Sequence, residues 1–455
     1  KISFCPRTTR NNMLSRSLLR LSPSLSPSPL LCSFPSSSPC FVLPKRNLVS
    51  KKTQQIIDTL EKYSAHNYSP LPVVLERGEG VFMYDVDGVR YFDFLSGYSA
   101  LNQGHCHPRI VEAMRNQMEK LTLTSRAFHN SLLGDYAKYV TEYFDYEMLL
   151  PMNTGVEAGE TAVKLARKWA YMKKGVPTNQ AKVYFANNNF WGRSIAALSS
   201  STDPLCRDNF GPYTPGFELI PYNDIKAVEK MVTDPNTAAF YVEPIQGEAG
   251  VIVPDDGYFP AVAELCKKNN VLLICDEIQT GLGRTGKILC SDHYGIKPDM
   301  VVLGKALSGG MLPVSAVLSS SGIMLCIQPG EHGSTYGGNP LACAVAMESL
   351  KVLKEEGLVE NAEKQGIKFR EEMQQARARH PWIVELRGKG LLNAIELHPD
   401  HHKSGYDVCV RMKEKGLLAK QTHDHTIRFA PPLTISDSEL AEGLEIIHST
   451  LDECA

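Results

Sequence analysis

Acid is missing from the start of this chain. No Asp or Glu occurs from Lys1 to Ile57, while Arg7, Arg10, Arg16, Arg20, Lys45 and Arg46 supply positive charge around "LSPSLSPSPLLCSFPSSSPC". A stretch so rich in Ser and Pro does not pack, and a basic, Ser-rich, acid-free composition is that of an organelle transit peptide. "MLSRSLLRL" at Met13 reads as a plausible start, and residues 1–48 are set aside from the fold as a leader. A mitochondrial matrix address is expected, with plastid or cytosol as alternatives. Other absences narrow the field further. No apolar run reaches the ~20 residues of a membrane-spanning helix. The 12 cysteines include no C-x-x-C pair, which suits free thiols in a reducing compartment. A net charge of -2 gives no reason to expect nucleic acid or a membrane as partner. Neither "GRTG" nor "GGMLPVS" matches a P-loop. The histidine groups at His105/His107, His398/His401/His402 and His423/His425 lack the paired spacing of a structural zinc site, so no metal is expected. There is no internal repeat.

What remains is an ordinary globular composition, 43% hydrophobic and 22% charged over 455 residues, enough for two or three domains with large cores. "KKTQQIIDTLEKYSAHNYSPLP" reads as a short helix stopped by Pro70 and Pro72. "GVFMYDVDGVRYFDFLSG" reads as a hairpin around Asp85–Gly88. From about Gly104 to Ser320, helical stretches alternate with the apolar runs "EMLLPM", "AKVYFA", "AAFYVEPI", "VLLICDE" and "DMVVLG". Such continuous runs are strands buried on both faces of a largely parallel sheet. Between them, Ala162, Leu165, Ala166, Trp169 and Ala170 share one face of a helix over 157–174. Pro340 opens a long helix, and a smaller α+β unit follows. The expected division is 1–48 leader, 49–98 an N-terminal helix and hairpin packed on the small domain, 99–340 the large domain and 341–455 the small one.

Ligands of an open α/β sheet sit beyond the carboxyl ends of its strands, and three features fall there. In "PMNTGVEAGETAVKLARK" a strand ends and a helix opens, and free amides at such a terminus bind phosphate; Glu157 and Glu160 there are equally ordinary helix-start residues. In "VLLICDEIQTGLGRTG", Asp276 leaves an apolar strand as a helix cap, a salt-bridge partner or a carboxylate holding a heterocyclic nitrogen protonated. In "VVLGKALSGG", Lys305 leaves the next run, 29 residues later (305 − 276). A lysine there either reaches water, finds a partner or is chemically used.

In order along the chain, "NYSPLPVVLERGEG", "FLSGYSALNQGHCHP", "PMNTGVEAGETAVKLARKW", "NFWGR", "VEPIQGEAGV", "DEIQTGLGRTG", "LGKALSGG" and "GEHGSTYGGNPL" resemble the class III (ω-) aminotransferases of fold-type I. The resemblance covers the chain from about Tyr63 to the C-terminal helix. It implies an α/β fold with a large domain on a mostly parallel seven-stranded sheet, a smaller α+β C-terminal domain, and pyridoxal 5'-phosphate as cofactor. It makes Lys305 the Schiff-base lysine and Asp276 the partner of the pyridinium nitrogen. Gln279 is to contact the phenolic oxygen, Phe190 to stack on the ring, and Gly155 and Val156 to hold the phosphate. Ser334 and Thr335 are implied in the phosphate site of a neighbouring subunit, so the active unit is a homodimer or higher.

For substrate, the resemblance implies ornithine and 2-oxoglutarate, with N-acetylornithine or 4-aminobutyrate as the alternative amine. Tyr68 and Arg193 bind the α-carboxylate of ornithine, and Arg193 the far carboxylate of 2-oxoglutarate. Glu248 masks Arg428 in one half-reaction and frees it in the other. Tyr98 favours ornithine over shorter ω-amino acids; without the resemblance it is a half-buried packing tyrosine. Glycines beyond Lys305 are expected to leave room for a flat cofactor. Asn188, where many relatives have glycine, is expected to keep the same turn by accepting positive φ. Cys206 is a candidate redox thiol or an inert loop cysteine. A scaffold that kept the fold without the cofactor is the rival from outside the enzymes, and intact Lys305, Asp276 and Gln279 argue against it.

Overall fold

The apolar runs become the middle of one sheet. A computed structural model describes residues 49–455, so the leader expected over 1–48 lies outside the described residues. Helix α1 (Lys51–Tyr63) is capped by Ser50, whose Oγ accepts the Thr53 N–H at 3.1 Å. Strands β1 (Leu75–Glu79), β2 (Phe82–Asp85) and β3 (Arg90–Asp93) follow. The expected hairpin is the antiparallel pair β2–β3. Its turn is tied by Asp85, whose Oδ1 accepts the Asp87 and Val89 N–H groups at 2.9 Å.

The central sheet contains β4 (Met148–Met152), β5 (Lys182–Ala186), β6 (Phe217–Ile220), β7 (Thr237–Val242), β8 (Leu272–Asp276), β9 (Met300–Leu303) and β10 (Ser315–Ser319). Their order across the sheet is β4-β10-β9-β8-β7-β5-β6. Only β10 runs antiparallel to its neighbours. Every residue of β7, β8, β9 and β10 is buried, because helices cover both faces. Each Val, Leu or Ile so removed from water contributes roughly 1.5–3 kcal/mol. Helix α2 (Gly155–Trp169) supplies Ala162, Leu165, Ala166 and Trp169 to this core. It does not run on regularly to residue 174 as its periodicity implied: Ala170–Lys174 widen into a π-helical turn that ends at Gly175 (φ 83°).

Two strands of the sheet escaped the sequence pattern. "FELI" is a short edge strand with mixed burial, and "SAVLS" hides its apolar residues between serines. Those serines are satisfied internally: the Ser315 and Ser319 hydroxyls donate to the Thr154 and Asp299 carbonyls at 2.7 and 2.8 Å.

Helices α3 (Pro340–Glu355) and α4 (Leu358–Arg379) lead to a second sheet, β11 (Ile383–Lys389), β12 (Leu392–Leu397), β14 (Lys420–Thr422) and β15 (Thr426–Phe429), all antiparallel in the order β11-β12-β15-β14. Between them β13 (Leu417–Leu418) pairs in parallel with β3, tying the N-terminal segment to this end of the chain. Helix α5 (Asp437–Glu453) closes the fold.

Candidate active site

Five strand exits converge on one cavity of about 240 Å³, lined by Gly155, Phe190, Glu248, Asp276, Gln279 and Lys305 among others. Asp276 ends β8 and Lys305 stands two residues beyond β9, the adjacent parallel strand. Asp276 is only 3% exposed. Its Oδ2 accepts the Tyr241 hydroxyl at 2.6 Å and its Oδ1 the Ile278 N–H at 3.0 Å. Burial raises its pKa, while the Tyr241 and Ile278 donors and the charge of Lys305 oppose the rise. Lys305 takes a left-handed backbone, φ 44°, a conformation that costs a residue with a Cβ of order 1–2 kcal/mol. Burial lowers its pKa, against the pull of Glu248, Asp276 and Glu243.

The glycines near Lys305 do a different job from the expected one. Gly309 and Gly310 turn the chain at positive φ and face away from the cavity. A Cβ there would strike Ile110 at 2.6 Å and Leu101 at 2.3 Å. The glycine that brings the lysine close is Gly304, whose Cα side lies against Ile278 and Gly155.

The opening of α2 has its outer donors already occupied. Thr154 and Glu157 form a reciprocal capping box, with Thr154 N–H on Glu157 Oε2 at 2.7 Å. That leaves the Gly155 and Val156 amides at the cavity wall, where an anion is favoured. Across the cavity, Asn188 takes φ 61° as expected and its N–H is held by Thr202 Oγ1 at 2.8 Å. The loop it starts presents Phe190, with the Arg193 guanidinium carbon 5.6 Å from its ring centroid.

At the far side, Arg428 on β15 grips Glu248 with two bonds, 2.9 and 3.3 Å. The arginine side chain is 5% exposed and the glutamate 27%. Burial alone would raise the pKa of Glu248; Arg428, helped by Lys305 and Gln279, outweighs it and holds the carboxyl down at about 2. The Tyr98 ring lies below the same guanidinium, 5.0 Å from centroid to carbon. Gln279 Nε2 donates to Glu248 Oε1 at 3.2 Å, and its Oε1 is buried without a partner among the described residues. Tyr68 and Arg193 are exposed and do not line this cavity; Tyr68 lines a second cavity together with Tyr98, and both Tyr68 and Arg193 lie close enough to act on the charge of Tyr98.

The model of the aminotransferase class-III family matches residues 63–451. The chain belongs to the class-III aminotransferases. It is 57% identical over 412 residues to mitochondrial ornithine aminotransferase of Rattus norvegicus, covering 89% of this chain and 93% of that protein. The crystal structure of ornithine aminotransferase from Toxoplasma gondii ME49 matches with a TM-score of 0.87 at 50% identity, over 90% of this chain and 96% of that one. Acetylornithine aminotransferase from Elizabethkingia anophelis matches at 0.81 and 52% identity, over 89% and 100%.

Class-III aminotransferases use pyridoxal phosphate, and the donor set in this cavity fits it. The Gly155 and Val156 amides would suit a phosphate, the buried Asp276 carboxylate a protonated ring nitrogen and the Lys305 amine, its pKa lowered by burial, a carbonyl, while Gln279 keeps an unmet acceptor. Ser334 and Thr335 stand apart from these groups. Ser334 Oγ accepts from Asn153 Nδ2 at 2.7 Å, while Thr335 is exposed and does not line the cavity of its own chain.

One buried acid of this class-III site escaped the sequence reading. Glu243, the residue after β7, accepts the Phe190 N–H at 2.9 Å and the Gly247 N–H at 3.3 Å, so it ties the aromatic loop to the peptide before Glu248. Burial, and then the neighbouring Asp276, push its pKa up to about 8. Its signal was an acid directly after an apolar strand, the same signal that picked out Asp276. Cys206 is half-buried and donates to Asp203 Oδ2 at 3.1 Å; burial and that bond push its thiol up to about 11, which favours the inert alternative. Among the described residues no group of three or more His, Cys, Asp or Glu has a metal-binding arrangement, and no helix is long and apolar enough to cross a membrane.

Proposed function

We propose that this chain transfers the δ-amino group of L-ornithine to 2-oxoglutarate, giving glutamate-5-semialdehyde and glutamate. The observation that carries the reading is a maskable guanidinium, Arg428 held by Glu248, in the same cavity neighbourhood as Lys305 and Asp276. Relatives named ornithine aminotransferase, at 53–59% identity, support the choice of amine.

When bound, pyridoxal phosphate supplies a carbonyl that takes up the substrate's amine and a ring that spreads the electron pair left by a departing C–H proton. Gly155 and Val156 hold its phosphate, Phe190 covers its ring, Gln279 meets its phenolic oxygen, and Asp276 accepts from its ring nitrogen. Lys305 Nζ, favoured in the neutral form by burial, would take the proton from the carbon bearing the reacting nitrogen and deliver it to the cofactor's carbonyl carbon within the same half-reaction, and the second half-reaction would run that transfer in reverse.

The two substrates place their charges differently, so one fixed pair of arginines serves only one of them. With ornithine, Tyr68 and Arg193 bind the α-carboxylate while Glu248 masks Arg428. With 2-oxoglutarate, Arg428 takes the α-carboxylate and Arg193 the distal one. Tyr98, beneath Arg428, shapes the site for ornithine.

Exposed Thr335 completes the phosphate site of a second copy, which makes the working unit at least a dimer. The chain works as a larger cofactor-binding lobe, 99–340, and a smaller lobe, 341–455, that brings Arg428. Residues 1–48 act as a mitochondrial leader; several relatives are named mitochondrial.

A coupled assay of ornithine with 2-oxoglutarate, trapping the cyclised semialdehyde, tests the reaction. The protein is expected to show a near-visible absorbance band after addition of pyridoxal phosphate, and Lys305→Ala to lose both band and product. A colourless wild type, or no trapped product, overturns the reading. The second amine to test is N-acetylornithine, since the Elizabethkingia neighbour carries that name; a substrate panel with 4-aminobutyrate included separates the three.

A further inference from the structure

Tyr98 reaches Arg428 from an unusual piece of backbone. Ser96, Gly97, Tyr98 and Ser99 have φ of 51°, 55°, 62° and 67° in succession. This is a full left-handed turn in which three of four residues carry a Cβ. It closes on the Ser96 carbonyl, which accepts the Ala100 and Leu101 N–H groups at 2.8 and 3.1 Å. For L-residues the Cβ crowds the following carbonyl in this conformation, so such a turn does not persist unaided. On one side it borders a cavity of about 460 Å³ lined by Leu95, Gly97, Tyr98 and Leu101, so packing among the described residues does not wedge it from there.

One buried carboxylate meets it. Asp93, at the end of β3 and 1% exposed, accepts on Oδ1 the Leu95 and Ser96 N–H groups, at 2.9 and 2.7 Å. These are the two amides that lead into the turn. Its Oδ2 lies 2.8 Å from His105 Nε2. His105 is itself fixed by the hydrogen bonds its N–H and C=O make with Gly80, at 2.8 and 3.0 Å. Its ring also sits so close to Gly78 that a Cβ there would come within 2.6 Å of it. A continuous chain of contacts therefore runs from the β1–β2 hairpin through His105 and Asp93 to the turn, and through Tyr98 to Arg428.

The geometry points to Asp93 and His105 as positioning residues for substrate choice: together they hold the left-handed turn that sets Tyr98 beneath Arg428. This rests on Tyr98 being the selector for ornithine, as argued above. Neither residue lines the cavity that holds Asp276 and Lys305; both act through the backbone of 95–99.

The test uses glycine as a conformational substitute. Glycine enters the left-handed region without the Cβ penalty, and the Ser96 hydroxyl is buried without a partner among the described residues, so Ser96→Gly removes no bond. Four proteins loaded with pyridoxal phosphate are compared: wild type, Asp93→Ala, Ser96→Gly/Ser99→Gly, and the triple variant. The readout is the ratio of kcat/KM for ornithine to that for 4-aminobutyrate. Asp93→Ala is expected to lower the ratio about tenfold, the lower end of the discrimination that a single pocket contact supplies. The triple variant is expected to return it close to the wild-type value.

An unchanged ratio in Asp93→Ala overturns the proposal. So does a lost ratio that the glycines fail to restore, because that assigns Asp93 to general folding. Should Asp93→Ala not fold, His105→Gln carries the same comparison with the same two glycines, and the same outcomes decide. Tyr98→Ile, run alongside, separates the two claims. If it leaves the ratio unmoved, the selector reading fails. If it moves the ratio and Asp93→Ala does not, only the positioning role fails.

Discussion

Two carboxyls and one amine meet at the exits of β7, β8 and β9, and burial pushes Glu243, Asp276 and Lys305 alike toward their neutral forms. Asp276 resists because two donors hold its charge; Glu243 has the weaker set and a like charge beside it. The consequence is a pH-dependent stability. Glu243 has a folded pKa of about 8 against an ordinary 4.5, so the folded state holds a proton that the unfolded state releases first. Stability therefore falls as pH rises between those values, by an amount of several kcal/mol when complete. Glu243→Gln is expected to flatten this fall, so that urea midpoints of variant and wild type diverge in the variant's favour from about pH 5 to pH 8. Parallel midpoint curves would show that Glu243 titrates normally. At this scale Lys305 and Asp276 were legible because a charge directly after an apolar run is costly unless used. Tyr241 was not, since its hydroxyl finds Asp276 only across the strands, 35 residues away in the chain.

Among the elements, α2 matters most to the site, because its first turn presents amides while its buried face anchors it under the sheet. Thr154 holds that turn. Thr154→Ala is expected to cost about 1 kcal/mol, the usual loss for an N-cap, seen as a lower denaturant midpoint, and to weaken binding of pyridoxal phosphate in a fluorescence titration. Retained cofactor affinity beside lost stability would separate the cap from the phosphate cradle. The helix was readable from its 3.6-residue periodicity and Thr-Gly start, and five strands from their unbroken apolar runs. Strand β10 was not, because its serines spend their hydroxyls on neighbouring backbone. Nor was the turn at 96–99: "SGYS" has no pattern that requires a left-handed course, and the groups that hold it lie before it, at Asp93, and after it, at His105.

For the whole molecule, the exposed Thr335 and the cavity it leaves unlined lead to a complementation experiment. Lys305→Ala lacks its amine but offers an intact Thr335; Thr335→Ala keeps Lys305 but offers a poor neighbour. Unfolded and refolded together, the two variants are expected to give hybrid dimers with one restored site, and so more activity than the two refolded apart. Equal activity in both refoldings would mean that each chain builds its phosphate site alone. By itself the sequence determined the α/β alternation, the strand exits at Asp276 and Lys305, the helix start at Gly155 and the place of Pro340, all set by local periodicity, capping and the cost of charge beside buried strands. Tertiary structure decided which exits are neighbours, that Glu243 joins Phe190 to Gly247, that Gly304 rather than Gly309 packs on Gly155 and Ile278, and that Tyr98 lies beneath Arg428, because those contacts join residues from different strands and sheets and have no local signature.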